Sequence, residues 1–441
     1  MKILIISHNP ITTYQSMGKT FLSLFSAFYK EELCQLYVYP TVPDIDVCDS
    51  YFRITDVDVM KSYFLCGKVA SQVIDKSQID SNKHEFFENA EDAEHYKKKK
   101  TVGRMLIRDL MWKFSAWWNK ELVGWIEQQK PTCVFVAPGD AKFLYDIALK
   151  ISSKWNLPIY TYICDEYYFR NMSSKFLERI QQKMLSRKIE KLMAKTTGVI
   201  SICDELKDAY GKHFNRPAYV TMTGTNYPIR ERAERKEAVS MTYLGNLALK
   251  RYVTLAQIGR ALDAINRETG SCYSLRIHTK TVSQEAQQEF EGIESVKFCE
   301  YVTGSEFDHT LHSADLLVHT ESFDANMMDR VKHSVSTKIA DSLGSGVCLV
   351  AYGSESLASI SYLKNNECAF VISDETDLKE RLMEILTDGA LRSRLAERGL
   401  EVARWNHDAL RNAAYLKEII SAGTGKAGLF GIDKIKRKEG N

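Results

Sequence analysis

No two of the ten cysteines stand in a Cys-x-x-Cys pair. That absence removes the usual ligand spacing of a zinc site, and scattered single thiols do not make a disulfide framework. Most lie in apolar, strand-like runs (Cys133, Cys164, Cys203, Cys299, Cys348), where buried free thiols are expected. Long apolar runs are missing as well. Nothing reaches the roughly 18 apolar residues of a membrane-spanning helix, and Met1–His8 is too short a run for a signal peptide. The expected compartment is a reducing cytosol. Charge of either sign is not in excess: 59 Lys and Arg face 57 Asp and Glu, a net +2. Nothing therefore draws the whole chain to nucleic acid, and an anionic partner must be held by local basic patches. No solenoid-type repeat is found.

What is present is a long alternation of short apolar runs with helical patterns. At 441 residues the chain exceeds one ordinary core, which stops growing near roughly 250–300 residues. Runs 3–7, 36–39, 133–137, 159–164 and 198–202 read as buried strands of a first half. Runs 242–244, 275–278, 296–298, 315–319, 347–351 and 369–372 read as those of a second. β-branched and aromatic residues dominate them, and most are separated by segments long enough for a crossover helix. The expected class is α/β, with two Rossmann-like doubly wound domains facing across a cleft. The first spans 1–225 with a partly irregular insertion at about 44–100 that ends in Lys97–Lys100, and the second spans 226–404. Gly224, Asn226, Pro228 and the charged run from Arg230 to Glu237 mark the boundary. A terminal helix at 405–422 and a disordered Gly/Lys-rich tail at 423–441 complete the expectation.

The segment richest in chemistry is Val335–Gly346, which follows Glu321 and precedes the run 347–351. Ser336 and Thr337 read as the start of a helix and Gly344-Ser345-Gly346 as its stop. A helix start offers free N–H groups and a positive dipole end, both suited to a diphosphate. Lys338 adds a point charge, and Asp341 is placed to accept from a ribose hydroxyl. An ordinary Ser/Thr cap with a glycine stop accounts equally well for the spacing alone.

This segment resembles the nucleotide-sugar loop of GT-B glycosyltransferases of the retaining, family-four-like kind. Their pattern is Ser-x-Lys-(x)2-Glu-(Tyr/Ala)-Leu-Ala-x-Gly followed by a strand. In their Glu-(x)7-Glu pair the two positions are His333 and Asp341 here, so the first acid is lost and the second kept. Tyr243–Leu247 resembles the glycine turn that opens the donor domain, with Gly245 letting backbone approach the diphosphate. The usual arginine there is Asn246, while Lys250 and Arg251 supply cations shortly after. Val296–Val302 resembles the segment that cradles the base, and 313–318 the strand after it. Arg404–His407 resembles the start of the terminal helices that cross back to the first domain. Implied donor-site residues are Gly245, Lys250, Arg251, Val302, Ser336, Thr337, Lys338 and Asp341. The resemblance further implies work without a bound divalent metal or other cofactor.

In the first half, Ser16-Met17-Gly18-Lys19-Thr20 has the look of a P-loop, but the required earlier glycine is Thr13. The family resemblance makes Ser16, Gly18 and Lys19 a cleft-facing loop that touches donor phosphate or acceptor; a solvated helix start is the alternative. Cys164-Asp165-Glu166 follows a strand, where ligands gather in doubly wound sheets. Similar enzymes carry His-Asp at this place, so Cys164 replaces the His and Asp165 keeps the acid that would orient or deprotonate an acceptor hydroxyl. A helix cap is the competing role for Asp165.

Two stretches have the form of basic amphipathic helices, which bind anionic headgroups. One runs from Leu106 to Ile126 with a tryptophan stripe that serves equally as core. The other repeats Lys175, Arg179, Lys183, Arg187, Lys191 and Lys195 at every fourth position. The expected protein is a cytoplasmic glycosyltransferase, peripheral on the inner membrane face. It would move a sugar from a nucleotide donor to a saccharide or lipid-linked saccharide in surface polysaccharide assembly. A nucleotide-sugar epimerase and a non-catalytic homologue of the same fold remain alternatives.

Overall fold

The structure is a computed structural model that describes residues 1–13, 16–63, 71–85, 101–225, 229 and 240–423. It contains two sheets, one in each half of the chain. The first has eight strands, β1 (Ile3–Ser7), β2 (Leu33–Tyr37), β3 (Ser50–Arg53), β4 (Gln72–Ile74), β5 (Cys133–Ala137), β6 (Ile159–Ile163), β7 (Thr196–Ser201) and β8 (Ala218–Val220). Their order is β4-β3-β2-β1-β5-β6-β7-β8, parallel throughout except for β4 against β3. The second has six, β9 (Ser240–Leu244), β10 (Ser274–His278), β11 (Val296–Cys299), β12 (Leu316–Thr320), β13 (Leu349–Tyr352) and β14 (Phe370–Ile372). Their order is β11-β10-β9-β12-β13-β14, all parallel. This is the doubly wound α/β class read from the sequence.

Every residue of β1, β2, β5, β6, β12 and β13 is buried, which is why these strands read as unbroken apolar runs and not as alternations. In the first half, Trp112, Leu122, Leu144, Ile147 and Leu185 cover one face of the sheet. Phe21, Phe25, Leu416 and Ile420 cover the other. The last two belong to the Ala409–Gly423 helix, which returns from the end of the chain to lie on the Ser16–Leu24 helix.

The partly irregular 44–100 stretch supplies, where it is described, edge strands β3 and β4 and the helices Asp56–Ser62 and Lys76–Glu85. Its strands are too short and mixed in polarity to show a period. Leu106–Ile126 is two helices, Val102–Phe114 and Lys120–Gln129, parted at Ser115–Asn119 where Asn119 caps the second. Its tryptophans turn inward: Trp112 stacks on Phe143, and Trp125 is buried against Phe52. The Lys97–Lys100 run, most of the boundary segment (Asn226, Pro228 and Arg230–Glu237) and the tail beyond Gly423 lie outside the described residues.

Candidate functional site

In each sheet, connections leave in opposite directions on either side of the first strand, at β1/β5 and at β9/β12. Ligands in such sheets gather outside the carboxyl ends of the strands at that switch point. A cavity of about 400 Å³ lies there, lined from the first half by Met17, Thr20, Cys164 and Asp165. From the second half come Tyr243, Asn246, Arg251, His319, Glu321, Ser334, Ser336, Thr337 and Lys338 among others. A smaller chamber of about 170 Å³ shares Met17 and Cys164 with it and is walled by Tyr145, Tyr162, Tyr167 and Tyr210.

The second-half wall is built from charge, with Glu321 and His319 buried and Lys338 reaching solvent. Arg251 grips Glu321 with two bonds, Nε to Oε2 at 3.0 Å and Nη2 to Oε1 at 2.9 Å. Glu321 directly follows β12 and is 4% exposed at its side chain, so the pair is held at the sheet's carboxyl edge. His319 Nε2 stands 3.8 Å from Glu321 Oε1. Burial, together with the cations Arg251 and Lys338, pulls the His319 imidazole down to about 4, and it is neutral near pH 7. Burial and the Arg251 charge likewise pull the Lys338 ammonium down to about 8. No carboxylate lies within ion-pair distance of Lys338 among the described residues. Two cations thus face one buried carboxylate at the cavity wall, and an entering dianion would relieve both.

The first-half wall carries one acid at the cavity. Asp165 follows β6, and its Oδ1 accepts from the Ser334 hydroxyl of the second half at 3.0 Å. Oδ2 accepts from Tyr167 at 3.3 Å and from the Cys164 thiol at 3.8 Å. The next helix begins only at Phe176, with Lys175 at its cap position, so Asp165 caps nothing. Glu166 turns inward instead, with Oε1 accepting from the amides of Tyr168 and Phe169 and from the Tyr210 hydroxyl.

The remaining candidates divide. Ser336 and Thr337 line the cavity, but the helix starts at Lys338 with Thr337 at its cap position, two residues later than read. Asp341 faces Thr225, whose hydroxyl donates to it at 3.2 Å, and does not line the cavity. Gly245 donates its N–H to the His278 carbonyl at 3.0 Å, so that amide is spent on closing β9 against β10. Its lack of a side chain serves Lys338, since a Cβ there would come within 2.5 Å of Nζ. Lys250 pairs at 2.7 Å with Asp324 and sits outside the cavity, as does Val302. Gly18 lies in the Ser16–Leu24 helix and not in a loop, because that helix seats on Thr12, whose backbone N would be 2.6 Å from a Cβ. The Ser16 side chain lies outside the described part of the structure. Lys19 follows on the same helix, close enough for its charge to disfavour the Lys338 ammonium, while its neighbours Met17 and Thr20 line the cavity.

Sequence reasoning missed Glu321 as the partner of Arg251, together with His319 and Ser334. An acid directly after a buried strand was the available signal for Glu321. Among the described residues no three His, Cys, Asp or Glu side chains converge as a metal cluster would.

The sequence matches no family model and no curated protein. Solved structures do match along nearly the whole chain. An α,α-trehalose-phosphate synthase (UDP-forming) from Burkholderia vietnamiensis is similar at TM-score 0.59 and 10% identity, covering 96% of this chain and 100% of its own. HepE from Anabaena, solved in complex with UDP, gives TM-score 0.61 at 10% identity with 96% and 100% covered. WaaG, a glycosyltransferase involved in lipopolysaccharide biosynthesis, gives 0.56 at 11% with 96% and 100% covered. The chain has the GT-B fold. In GT-B terms the cavity lies between the two Rossmann-like halves, with its cations Arg251 and Lys338 on the C-terminal side. Likeness at such low identity carries the architecture and leaves the reaction to be argued from the site.

Proposed function

We propose that this GT-B protein is a glycosyltransferase that takes a nucleotide-sugar donor on its second half and a saccharide acceptor on its first. The observation that carries the reading is that two cations, Arg251 and Lys338, line the cavity around one buried carboxylate, Glu321, at the carboxyl edge of the second sheet. A site with more cations than anions binds an anion, and preorganised cations stabilise the charge that grows on a departing diphosphate. Arg251 and Lys338 would hold that diphosphate, with the Ser336 and Thr337 hydroxyls beside it. This arrangement needs no divalent metal. Asp165 faces the pair across the cavity. Released from Ser334 by a conformational change, its Oδ1 would accept the proton of the attacking hydroxyl. The tyrosine-walled chamber beside Cys164 offers apolar ring faces and few charges, the character suited to a neutral sugar. HepE has been solved with UDP-glucose and a related trehalose-phosphate synthase with glucose-6-phosphate, which supports ligands of these two kinds. We extend the proposal to a lipid-linked acceptor in surface polysaccharide assembly.

A melting-temperature screen of the full chain against UDP, GDP, dTDP and CMP tests the donor half, since a ligand of the native state raises stability by mass action. The reading requires a shift with at least one nucleoside diphosphate that disappears in Arg251→Ala. No shift with any of them removes it. A second reading, a non-catalytic binding module, draws on the engagement of Asp165 by Ser334. It predicts nucleotide binding without turnover of any donor.

A further inference from the structure

On the outer surface of the first half, the Val102–Phe114 and Phe176–Met193 helices pack side by side. They are tied through Lys142, a buried lysine whose ammonium is shared by Asp109 of the first and Gln181 of the second. Both cover the same face of the first sheet, so their solvent sides form one continuous surface. On the first helix Ile107, Leu110 and Phe114 are 62%, 53% and 68% exposed. At 3.6 residues per turn these three fall within an arc of about 60°. The inward tryptophans leave this stripe outside the core, turned to the surface among the described residues. Arg104 and Lys113, both exposed, flank it on either side, and no acidic residue lies between them on the outward face.

The second helix adds charge. Its every-fourth row winds by about 40° per step, which centres Arg179, Lys183 and Arg187 on the outward face. All three are exposed and none has an ion-pair partner among the described residues, while Lys175 has Glu178 at 3.4 Å. Phe176 stands out from the same helix at 66% exposure. The surface also adjoins the cleft. Arg108 of the first helix reaches His8 at the end of β1 (2.8 Å), and Asn171, just before the second helix, donates to Asp329 across the cleft (2.8 Å).

We infer that this two-helix face is a docking surface for an anionic lipid bilayer, with the Ile107/Leu110/Phe114 stripe seated at the headgroup–acyl boundary and Arg179, Lys183 and Arg187 against lipid phosphates. The occupant follows from the chemistry. An apolar stripe beside cations that outnumber the single exposed carboxylate of the second helix's outward row, Glu190, matches an interface whose interior is apolar and whose rim is anionic. A protein partner or nucleic acid would meet the cations but leave the stripe unsatisfied or need a matching groove. The inference stands on residues outside the donor cavity and goes beyond the donor reading. It deepens that reading at one point, since a bilayer at the cleft mouth brings a lipid-linked acceptor to the first half.

Flotation of the full chain with phosphatidylglycerol-containing and pure phosphatidylcholine vesicles tests it. Binding to the first and not the second is expected, fading as salt rises past physiological strength. Arg179→Gln, Lys183→Gln and Arg187→Gln together should lower partitioning about a hundredfold, at roughly fivefold per cation. Ile107→Ser, Leu110→Ser and Phe114→Ser together should lower it at every salt concentration, with melting temperature unchanged because the three are exposed. UDP binding is measured on the same preparations. Vesicle binding without nucleotide binding keeps the docking surface and sinks the donor reading; nucleotide binding without vesicle binding does the reverse. Unaltered flotation of both triple variants, a stripe variant that changes only self-association, or retention by an oligonucleotide but not by vesicles would each overturn the inference.

Discussion

The two walls of the cleft are made of different material. The second-half wall gathers Arg251, Glu321, His319 and Lys338 into one charged cluster. Glu321 and His319 are buried, and desolvation with the neighbouring cations holds the His319 imidazole and the Lys338 ammonium below their ordinary values. The first-half wall brings one acid, Asp165, to the larger cavity, while the smaller chamber beside it is lined by Tyr145, Tyr162, Tyr167 and Tyr210 together with Asp140. Burying charge is costly unless something compensates it, so the second wall is unlike a surface optimised for stability alone. Burying tyrosine rings carries no such cost. The difference teaches that the two walls meet different partners, one anionic and one neutral, and each substitution below probes one side of that contrast.

The largest effect should come from the sparser wall. If Asp165 receives the acceptor proton, Asp165→Asn lowers the transfer rate by about a hundred- to ten-thousandfold and leaves nucleotide affinity nearly intact. Rates and titrations on one preparation check this, and wild-type turnover would erase the division of labour between the walls. Arg251→Ala acts on the other side. It strands Glu321, a buried carboxylate, and should cost about 3–5 kcal/mol in denaturant unfolding as well as nucleotide binding. Arg251→Ala with Glu321→Gln should restore much of the stability without restoring binding. Recovery of both would make the pair purely structural.

Lys338 separates function from stability by sign. Its folded-state value of about 8 lies below the ordinary 10.5, so the unfolded chain holds more protons between those limits. Stability of the empty protein should therefore rise as pH climbs from about 8 to 10.5, and the penalty is fully present below 8. Lys338→Met should raise the melting temperature at pH 7 while weakening nucleotide binding about ten- to a hundredfold, the value of a hydrogen bond to charge. A variant that loses both would place Lys338 among ordinary structural lysines. The smallest effect is expected at the contact between the walls. Ser334→Ala removes one hydrogen bond to Asp165, about 1 kcal/mol or less, and should shift the pH–rate profile more than the melting temperature.

The apolar runs were legible because strands covered on both faces carry no alternation to misread, and β1, β5 and β6 start where those runs start. The edge strands β3, β4 and β8 were not, being three or four residues long with half-buried positions. At the site, spacing located the Ser336–Lys338 turn and Arg251. It could not say where a side chain turns, and so Asp341 was aimed at a ribose when it faces Thr225. Nor could it foresee that the Gly245 amide is spent on His278, a pairing set by sheet register. Glu321 escaped notice because its meaning depends on Arg251, 70 positions earlier in the chain. The tryptophans of 106–126 show the same limit: period reveals that a helix has an apolar face, while packing decides which face is covered.

The central claim is that the second wall is a diphosphate site made of two cations around the buried carboxylate of Glu321. Calorimetric titration of the full chain with UDP, GDP and dTDP, repeated at pH values on either side of 8, addresses it directly. The account predicts saturable binding of at least one nucleotide that weakens as pH rises through about 8, because the Lys338 ammonium loses its proton there. Weak binding without that pH dependence is predicted for Lys338→Met. Absence of binding by any of the three, or an affinity in the wild-type protein that stays flat across this range, would contradict it.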